Sequence, residues 1–418
     1  MPAKTSPSKN ASVTDRFRAI RGFTEGLCQT LVPEDFVIQS MTDCSPLRWH
    51  LAHTTWFFET FVLSEFADGY KLYDDQFPYL FNSYYIQAGE RFDRPRRGLL
   101  SRPTVADIFA YRAHVDQAME GFLAEASPSE RLAAAPVLEI GLNHEQQHQE
   151  LMLTDVKHML AQNPLNPVFR PCDLPSIANT ALTWYRFEEG IRHIGHEGEE
   201  FCYDNELPRH RVFLEPFELA SRLVTNSEFA AFVDDGGYRD PLLWLSEGWN
   251  TLQNEGWTKP MYWERHDGGW REFTLSGLHA LDPSAPACHL SFFEADAYAR
   301  WAGARLPTEF ELEAAVGETG APAQDGHFVD EGFLHPIGGD ALMGDLWQWT
   351  SSSYGPYPGY SPPPGALGEY NGKFMCNQYV LRGGSCATSQ SQVRDTYRNF
   401  FPAYARWQFS GIRLARSL

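Results

Sequence analysis

The chain has 418 residues, with 34 Lys and Arg against 54 Asp and Glu and a formal net charge of −20. That balance, without any extended basic cluster, argues against a nucleic-acid or anionic-membrane surface. Apolar residues make up 43% and aromatic residues 14%, enough for two cored domains, and no apolar run approaches the roughly 18 residues of a membrane-spanning helix.

Residues 1–12 are polar, carry Lys4 and Lys9 and lack an apolar stretch, so they read as a disordered lead-in and not as a signal peptide. Seven cysteines (28, 44, 172, 202, 288, 376 and 386) are scattered, odd in number and without a C-x-x-C pair. That pattern predicts free thiols and a cytoplasmic protein. No internal repeat is visible.

Residues 13–162 read as a helical domain. Ser12 to Asp15 forms a capping-box-like start, followed by a helical stripe of Val13, Phe17, Ile20, Leu27 and Leu31. Ser45-Pro46 opens a second helix, along which Leu47, Leu51, Thr54, Phe57, Phe58 and Phe61 recur at spacings of three and four. Thr104 to Asp107 starts a third helix, and a fourth is expected after Pro136, through Ile140, His144, His148, Leu151, Asp155 and Met159. Four amphipathic helices predict an antiparallel bundle, in which metal sites form between facing helices. The aromatic, arginine-rich loop 68–102 is long enough to imply function or disorder. Residues 163–180 form a proline-rich linker, and residues 181–418 read as an α+β domain rich in loops. Helices are expected there over 225–233 and 292–301, and strands over 209–214, 379–382 and 411–415.

The fourth helix carries N-H-E-Q-Q-H-Q-E. His144 and His148 are four residues apart and share one face, the geometry for gripping a transition-metal ion. The same letters spell H-E-x-x-H, the zinc-protease motif. A thermolysin-like site needs a third-ligand Glu downstream, yet none occurs between Glu150 and Glu188. A metzincin needs a third His at position 154, where Thr stands. The third ligand is therefore expected from another helix, where S-P-L-R-W-H-L-A-H offers His50 or His53. Three imidazoles with open positions suit an iron centre binding oxygen or a thiolate, with Glu145, Glu150 and Asp155 as candidates to orient them.

L-A-H at 51–53 followed by H-E-Q-Q-H at 144–148 resembles the DinB-like bundle of the ergothioneine sulfoxide synthase (EgtB-type) family. N-E-L-P-R-H-R-V at 205–212, V-T-N-S-E-F at 224–229, R-L-P-T-E-F-E-L-E-A-A at 305–315, D-L-W-Q-W-T-S-S at 345–352, L-R-G-G-S at 381–385 and F-S-G-I-R-L-A at 409–415 resemble the formylglycine-generating-enzyme-like domain, a C-type-lectin-related fold. The resemblance implies a four-helix DinB-like bundle followed by that α+β domain. It implies Fe(II) held by His53, His144 and His148. The implied reaction couples a thiol to the imidazole of hercynine with O2 and gives a sulfoxide. Holding imidazole and thiolate side by side would replace chance encounter by orientation.

The resemblance also suggests substrate contacts. Gln147 matches the residue that meets the hercynine imidazole. R-N-F-F at 398–401 matches the segment lining its carboxylate and ammonium, with Asn399 as polar contact and Phe400 as a cation–π face. Phe401 stands where the mycobacterial branch carries an acid that helps hold γ-glutamylcysteine, so free cysteine is the expected donor, with γ-glutamylcysteine retained. Arg94 and Arg97, in F-D-R-P-R-R-G, match a two-arginine clamp for the donor carboxylate. In the mycobacterial branch of the family the catalytic tyrosine lies in a C-terminal loop, which here holds Tyr357, Tyr360 and Tyr370 without one that aligns. The expectation therefore falls on Tyr84 and Tyr85 of F-N-S-Y-Y as proton donors.

Rival readings remain. A formylglycine-generating oxidase needs a close reactive cysteine pair, but Cys376 and Cys386 are ten apart, on either side of R-G-G-S. An ovothiol-type 5-histidylcysteine sulfoxide synthase usually has a further methyltransferase domain. A selenium-inserting relative and a non-catalytic metal-dependent binding protein complete the set. Small-molecule substrates are expected as partners, and a homo-oligomer is admitted.

Overall fold

In the computed structural model, residues 11–175, 180–320 and 326–418 are described. Residues 1–10 of the expected lead-in and 176–179 of the expected linker lie outside them. The chain divides into two compact units: Met1–Arg170 with Pro364–Tyr370, and Pro171–Pro363 with Asn371–Leu418. A short segment late in the chain thus packs with the helices.

In the first unit, α1 (Val13–Leu27) starts at Ser12, whose hydroxyl accepts from the Asp15 amide and buries Phe17, Ile20 and Leu27. α2 (Leu47–Phe58) is buried at every residue, as expected of a helix surrounded by others. It continues through a widened π turn (Glu59–Leu63) into α3 (Ser64–Phe66). Glu59, at the turn, accepts from the Tyr111 hydroxyl, the Tyr70 hydroxyl at 2.8 Å and the Tyr73 amide at 2.8 Å. The long loop is thereby tied down at its start, and it contains α4 (Phe77–Phe81). α5 (Val105–Glu125) has the expected Thr104–Asp107 capping box. α6 runs Pro128–Ala161, so it begins eight residues earlier than expected from Pro136. A Ser127–Glu130 capping box with Pro128 in the first turn starts it. Pro136 sits on the exposed side, where water can satisfy the carbonyl it strands. α2 packs on α5 and α6, and α1 packs on α6.

A charged cluster locks these helices. Glu145, fully buried on α6, accepts from Arg112 of α5 at 2.6 Å, Arg21 of α1 at 2.9 Å and the Thr24 hydroxyl at 2.6 Å. Arg21 also reaches Thr55 of α2 at 3.0 Å. Burial raises the Glu145 carboxyl pKa, but the guanidiniums of Arg112 and Arg21 outweigh it and bring it to about 2.

The second unit carries β1 (Trp184–Phe187), β2 (Gly190–Ile194), β3 (His210–Leu214), β4 (Phe217–Ala220), α7 (Asn226–Asp234), α8 (Ser246–Glu255), β5 (Trp263–His266), β6 (Gly269–Thr274), β7 (Gly277–Ala280), α9 (Phe292–Trp301), α10 (Glu309–Thr319), β8 (Trp347–Ser353), β9 (Tyr379–Arg382), β10 (Asn399–Phe401), β11 (Ser410–Gly411) and β12 (Ala415–Ser417). They form sheets β1-β4-β12, β10-β9-β8-β11, β2-β3 and β5-β6-β7. Pairing is antiparallel except between β11 and β8.

α8 and α10 were not expected. In α10 the signal is masked because Glu309, Glu311 and Glu313 are buried. Arg398 grips Glu309 at 2.8 Å, Arg305 grips Glu311 at 2.6 Å, and Arg382 grips Glu313. The expected strand 411–415 is split, since buried Arg413 between the two pieces donates to Gln348 and to the Ala220 carbonyl, both at 2.8 Å. No helix among the described residues is long and apolar enough to cross a membrane.

Removing the Glu145 charge leaves two guanidiniums facing a neutral amide in the interior. Glu145→Gln should lower the unfolding free energy by about 3–5 kcal/mol, read as a urea midpoint. The folded carboxyl at about 2 lies below its ordinary 4.5. Its stabilisation is therefore complete above pH 4.5 and fades as pH falls towards 2. A variant with an unchanged midpoint would contradict the account.

Candidate metal centre

α2 presents Trp49, His50, His53 and Trp56 on successive turns, and α6 presents His144 and His148 opposite. The candidate ligand atoms of His53, His144 and His148 all lie within 4.8 Å of one another, and all three residues are buried. His53 Nε2 and His144 Nε2 face each other at 3.2 Å. The His53 ring is sandwiched between Trp49 (centroids 4.5 Å, planes 13° apart) and Trp56 (5.4 Å, 17°). Its Nδ1 lies 2.6 Å from the Phe81 carbonyl at the end of α4. A carbonyl only accepts, so Nδ1 carries the proton and Nε2 is left bare as a ligand.

Behind His148 stands His50, with the two Nδ1 atoms 2.8 Å apart. His50 Nε2 is 3.0 Å from Asp155 Oδ2. Of the acids expected to orient the ligands, Asp155 therefore reaches one through His50, whereas Glu145 is committed to the arginine cluster.

Burial holds all three candidate ligands neutral. It pushes His53 and His148 well below the ordinary imidazole range, and His144 adds to both shifts. Burial also brings His144 down to about 3. Neutral imidazoles packed with their ring nitrogens this close together suit a divalent transition metal better than any proton. The group can hold a metal ion.

Residues 16–152 match the DinB superfamily, and residues 183–338 and 335–418 match the sulfatase-modifying factor enzyme 1-like domain. A hercynine oxygenase of Mycolicibacterium thermoresistibile is 32% identical over 409 residues, covering 89% of this chain and 87% of that protein. Another, of Mycolicibacterium smegmatis, is 32% identical over 412 residues, covering 89% and 91%. The chain belongs to the hercynine oxygenase family. A formylglycine-generating enzyme of Streptomyces coelicolor is 29% identical over 260 residues, covering 50% of this chain and 78% of that one.

The other residues singled out on the hercynine oxygenase resemblance fall in both units. Arg97 is buried, its guanidinium 3.3 Å from the Trp49 ring centroid and its Nη1 2.9 Å from Ser45 Oγ. Burial first, and then the charge of Arg94, hold its pKa well below the ordinary arginine value. Arg94 itself is exposed and donates to the Asp43 carbonyl. Tyr85 is buried 5.7 Å from Trp56 and stacks on half-buried Tyr84 at 4.6 Å, centroid to centroid. In the second unit, Asn399, Phe400 and Phe401 form β10. The Asn399 side-chain carbonyl accepts from the Phe400 amide at 2.9 Å, Phe400 stacks on Tyr354 at 4.0 Å, and Phe401 meets Trp407 edge-on at 6.3 Å.

Tyr370 is one of the three C-terminal-loop tyrosines passed over in favour of Tyr84 and Tyr85. It belongs to the first unit, where its hydroxyl donates to Gln147 Oε1 and its ring lies 5.8 Å from that of His144. Its neighbour Glu369 accepts the amides of Ile86 and Gln87 at 3.0 and 2.9 Å, pinning this late segment to the loop that carries Tyr84 and Tyr85. Tyr357 and Tyr360 instead serve the second unit, beside Arg398 at 4.0 Å and bonded to Asp204 at 2.7 Å. Three tyrosines in one loop look alike in sequence, and no local signal sets Tyr370 apart.

The depressed histidines have a pH signature. A folded pKa of about 3 for His144 lies below its ordinary 6.5, so the unfolded state binds more protons as pH falls through 6.5 and stability falls with it. The metal-free protein should show a lower urea midpoint at pH 5 than at pH 7, and His144→Gln should reduce that difference. An equal difference in the variant would count against buried neutral imidazoles.

Proposed function

We propose that this member of the hercynine oxygenase family binds Fe(II) at His53, His144 and His148. We propose further that it uses O2 to join the thiol of cysteine to the imidazole of hercynine, giving a sulfoxide in ergothioneine biosynthesis. The observation that carries the reading is the buried three-histidine group within a chain of this family. Ferrous iron held by these three imidazoles would supply the open coordination and redox chemistry that a thiol and dioxygen require.

The protein's own residues supply the rest. Arg97 is a desolvated cation held beside the Trp49 ring, an environment that favours a carboxylate partner, and Arg94 adds charge to the same loop. These two are the proposed clamp for the donor carboxylate. Gln147 is the proposed contact to the hercynine ring, with Asn399, Phe400 and Phe401 as further hercynine contacts. Phe401 offers no charge to γ-glutamylcysteine, which supports free cysteine as donor. The proton donor is a tyrosine. Tyr370 is favoured because its hydroxyl meets Gln147, one residue before the ligand His148, while the Tyr84 ring meets its ring edge-on at 6.3 Å and the Tyr85 ring lies tilted against it at 6.5 Å. The seven free cysteines fit a cytoplasmic location.

Anaerobic Fe(II) titration followed by oxygen uptake and mass spectrometry of the products tests the reading. Native protein should take up iron and consume O2 only with hercynine and thiol, turning over cysteine better than γ-glutamylcysteine. Single alanine substitutions of His53, His144 or His148 should abolish both. Iron binding without O2 uptake would favour a metal-dependent binding protein, and a product joined at the ring C5 would favour the ovothiol-type reaction. Tyr370→Phe should keep iron affinity yet slow sulfoxide formation by about 10²–10⁴-fold. An unchanged rate in Tyr370→Phe together with a slowed Tyr84→Phe/Tyr85→Phe double variant would return the proton to that pair.

A further inference from the structure

The three candidate ligands are oriented in different ways. His53 leans on a backbone carbonyl. His148 leans on a second imidazole, which leans on a carboxylate: His148 Nδ1 and His50 Nδ1 are 2.8 Å apart, and His50 Nε2 is 3.0 Å from Asp155 Oδ2. His50, His148 and Asp155 are 3%, 8% and 5% exposed. Two imidazole nitrogens at that separation need one proton between them, or their lone pairs repel.

The far end of the chain decides the direction. Asp155 Oδ2 also accepts the Ser45 amide at 2.8 Å, and an amide can only donate. That oxygen is an acceptor held in place from the start of α2. Ser45 is fixed from its other side by Arg97, whose Nη1 donates to Ser45 Oγ at 2.9 Å. An acceptor at Asp155 draws the proton of His50 onto Nε2. His50 Nδ1 is then bare and accepts, so His148 carries its proton on Nδ1 and presents a bare Nε2. The alternative tautomer of His148 would set two lone pairs against each other and place a proton where a ligand is needed.

We propose that His50 and Asp155 are positioning residues for the metal centre, a relay that fixes the tautomer and ring orientation of His148 and strengthens its Nε2 as a donor. The inference rests on the metal reading above. It also explains why the motif carries two histidines three apart on α2 when only one is needed as a ligand. His53 faces its partner ligand on α6, whereas His50, one turn earlier, sits behind His148 and ties α2 to Asp155 two turns further along α6. Partners of this kind govern metal affinity by roughly 10–100-fold.

Two measurements test it. In ¹⁵N-histidine-labelled native protein without metal, long-range ¹H–¹⁵N spectra should show His148 protonated on Nδ1 and His50 protonated on Nε2. Competitive titration with Fe(II) or Co(II) should then show His50→Phe losing about 10–100-fold in affinity, with helical circular dichroism retained. His50→Gln, whose amide can both accept and donate, should recover most of the loss, and Asp155→Asn should fall between. A merely structural role would lower the melting temperature without this pattern of rescue. A native His148 protonated on Nε2, or a folded His50→Phe that binds metal as tightly as native protein, overturns the relay. Native protein that takes up no metal overturns the metal reading instead, and the tautomer spectrum still decides the relay.

Discussion

The cost of placing charge and unpaired polar groups in a dry interior governs the helical unit. From Gly141 to Leu160, α6 is buried at nearly every position, although it carries Asn143, His144, Glu145, Gln146, His148, Gln149, Glu150, Asp155, Lys157 and His158. A helix so polar and so buried is stable only if its groups find partners within the bundle. On one side Glu145 finds Arg21 and Arg112. On another, His144 and His148 face His53 of α2. Adjacent residues thus serve two ends: Glu145 pins α1 and α5 to α6, and the same stretch of backbone then holds His144 and His148 in place.

Burial also sets the chemistry of the centre. An exposed histidine four residues from another would be partly protonated near neutral pH and free to turn. Here the three imidazoles are dry, neutral and clamped, one between two indoles and one by a second histidine. The only desolvated guanidinium described in that loop, Arg97, lies against the outer face of Trp49, so cation, indole and imidazole form consecutive layers. A site of this kind is organised before any ligand arrives, which lowers the ordering cost of binding.

The second unit follows the same rule with different residues. Glu309, Glu311 and Glu313 are buried on α10 because Arg398, Arg305 and Arg382 come to meet them. Glu206 is likewise buried against Arg394 at 2.7 Å. Removing one partner from such a pair is far more damaging than its net contribution to stability suggests, because it leaves a bare charge in the interior.

Local signals were enough to read the starts of α1, α2 and α5 in the helical half of the chain. Capping residues at Ser12 and Thr104, the apolar periodicity of α2 and the His144–His148 spacing all act within one or two turns, and a single strand of sequence displays them. The family was likewise legible, because several short motifs spread over most of the chain resembled it in the right order. What required the tertiary structure depends on residues far apart in the chain. Whether His50 or His53 faces His144 depends on how α2 is rotated against α6, and their spacing of three leaves both rotations open. The early start of α6 was hidden by Pro136, whose effect depends on which side of the helix meets water. α10 was hidden by glutamates, of which Glu309 and Glu313 look solvated until Arg398 and Arg382 arrive from late in the chain. Tyr370 lies 223 residues from the Gln147 it bonds, and no local pattern reports a contact made by loop closure. Periodicity and caps act over a few residues, whereas burial of charge is settled only when distant segments meet.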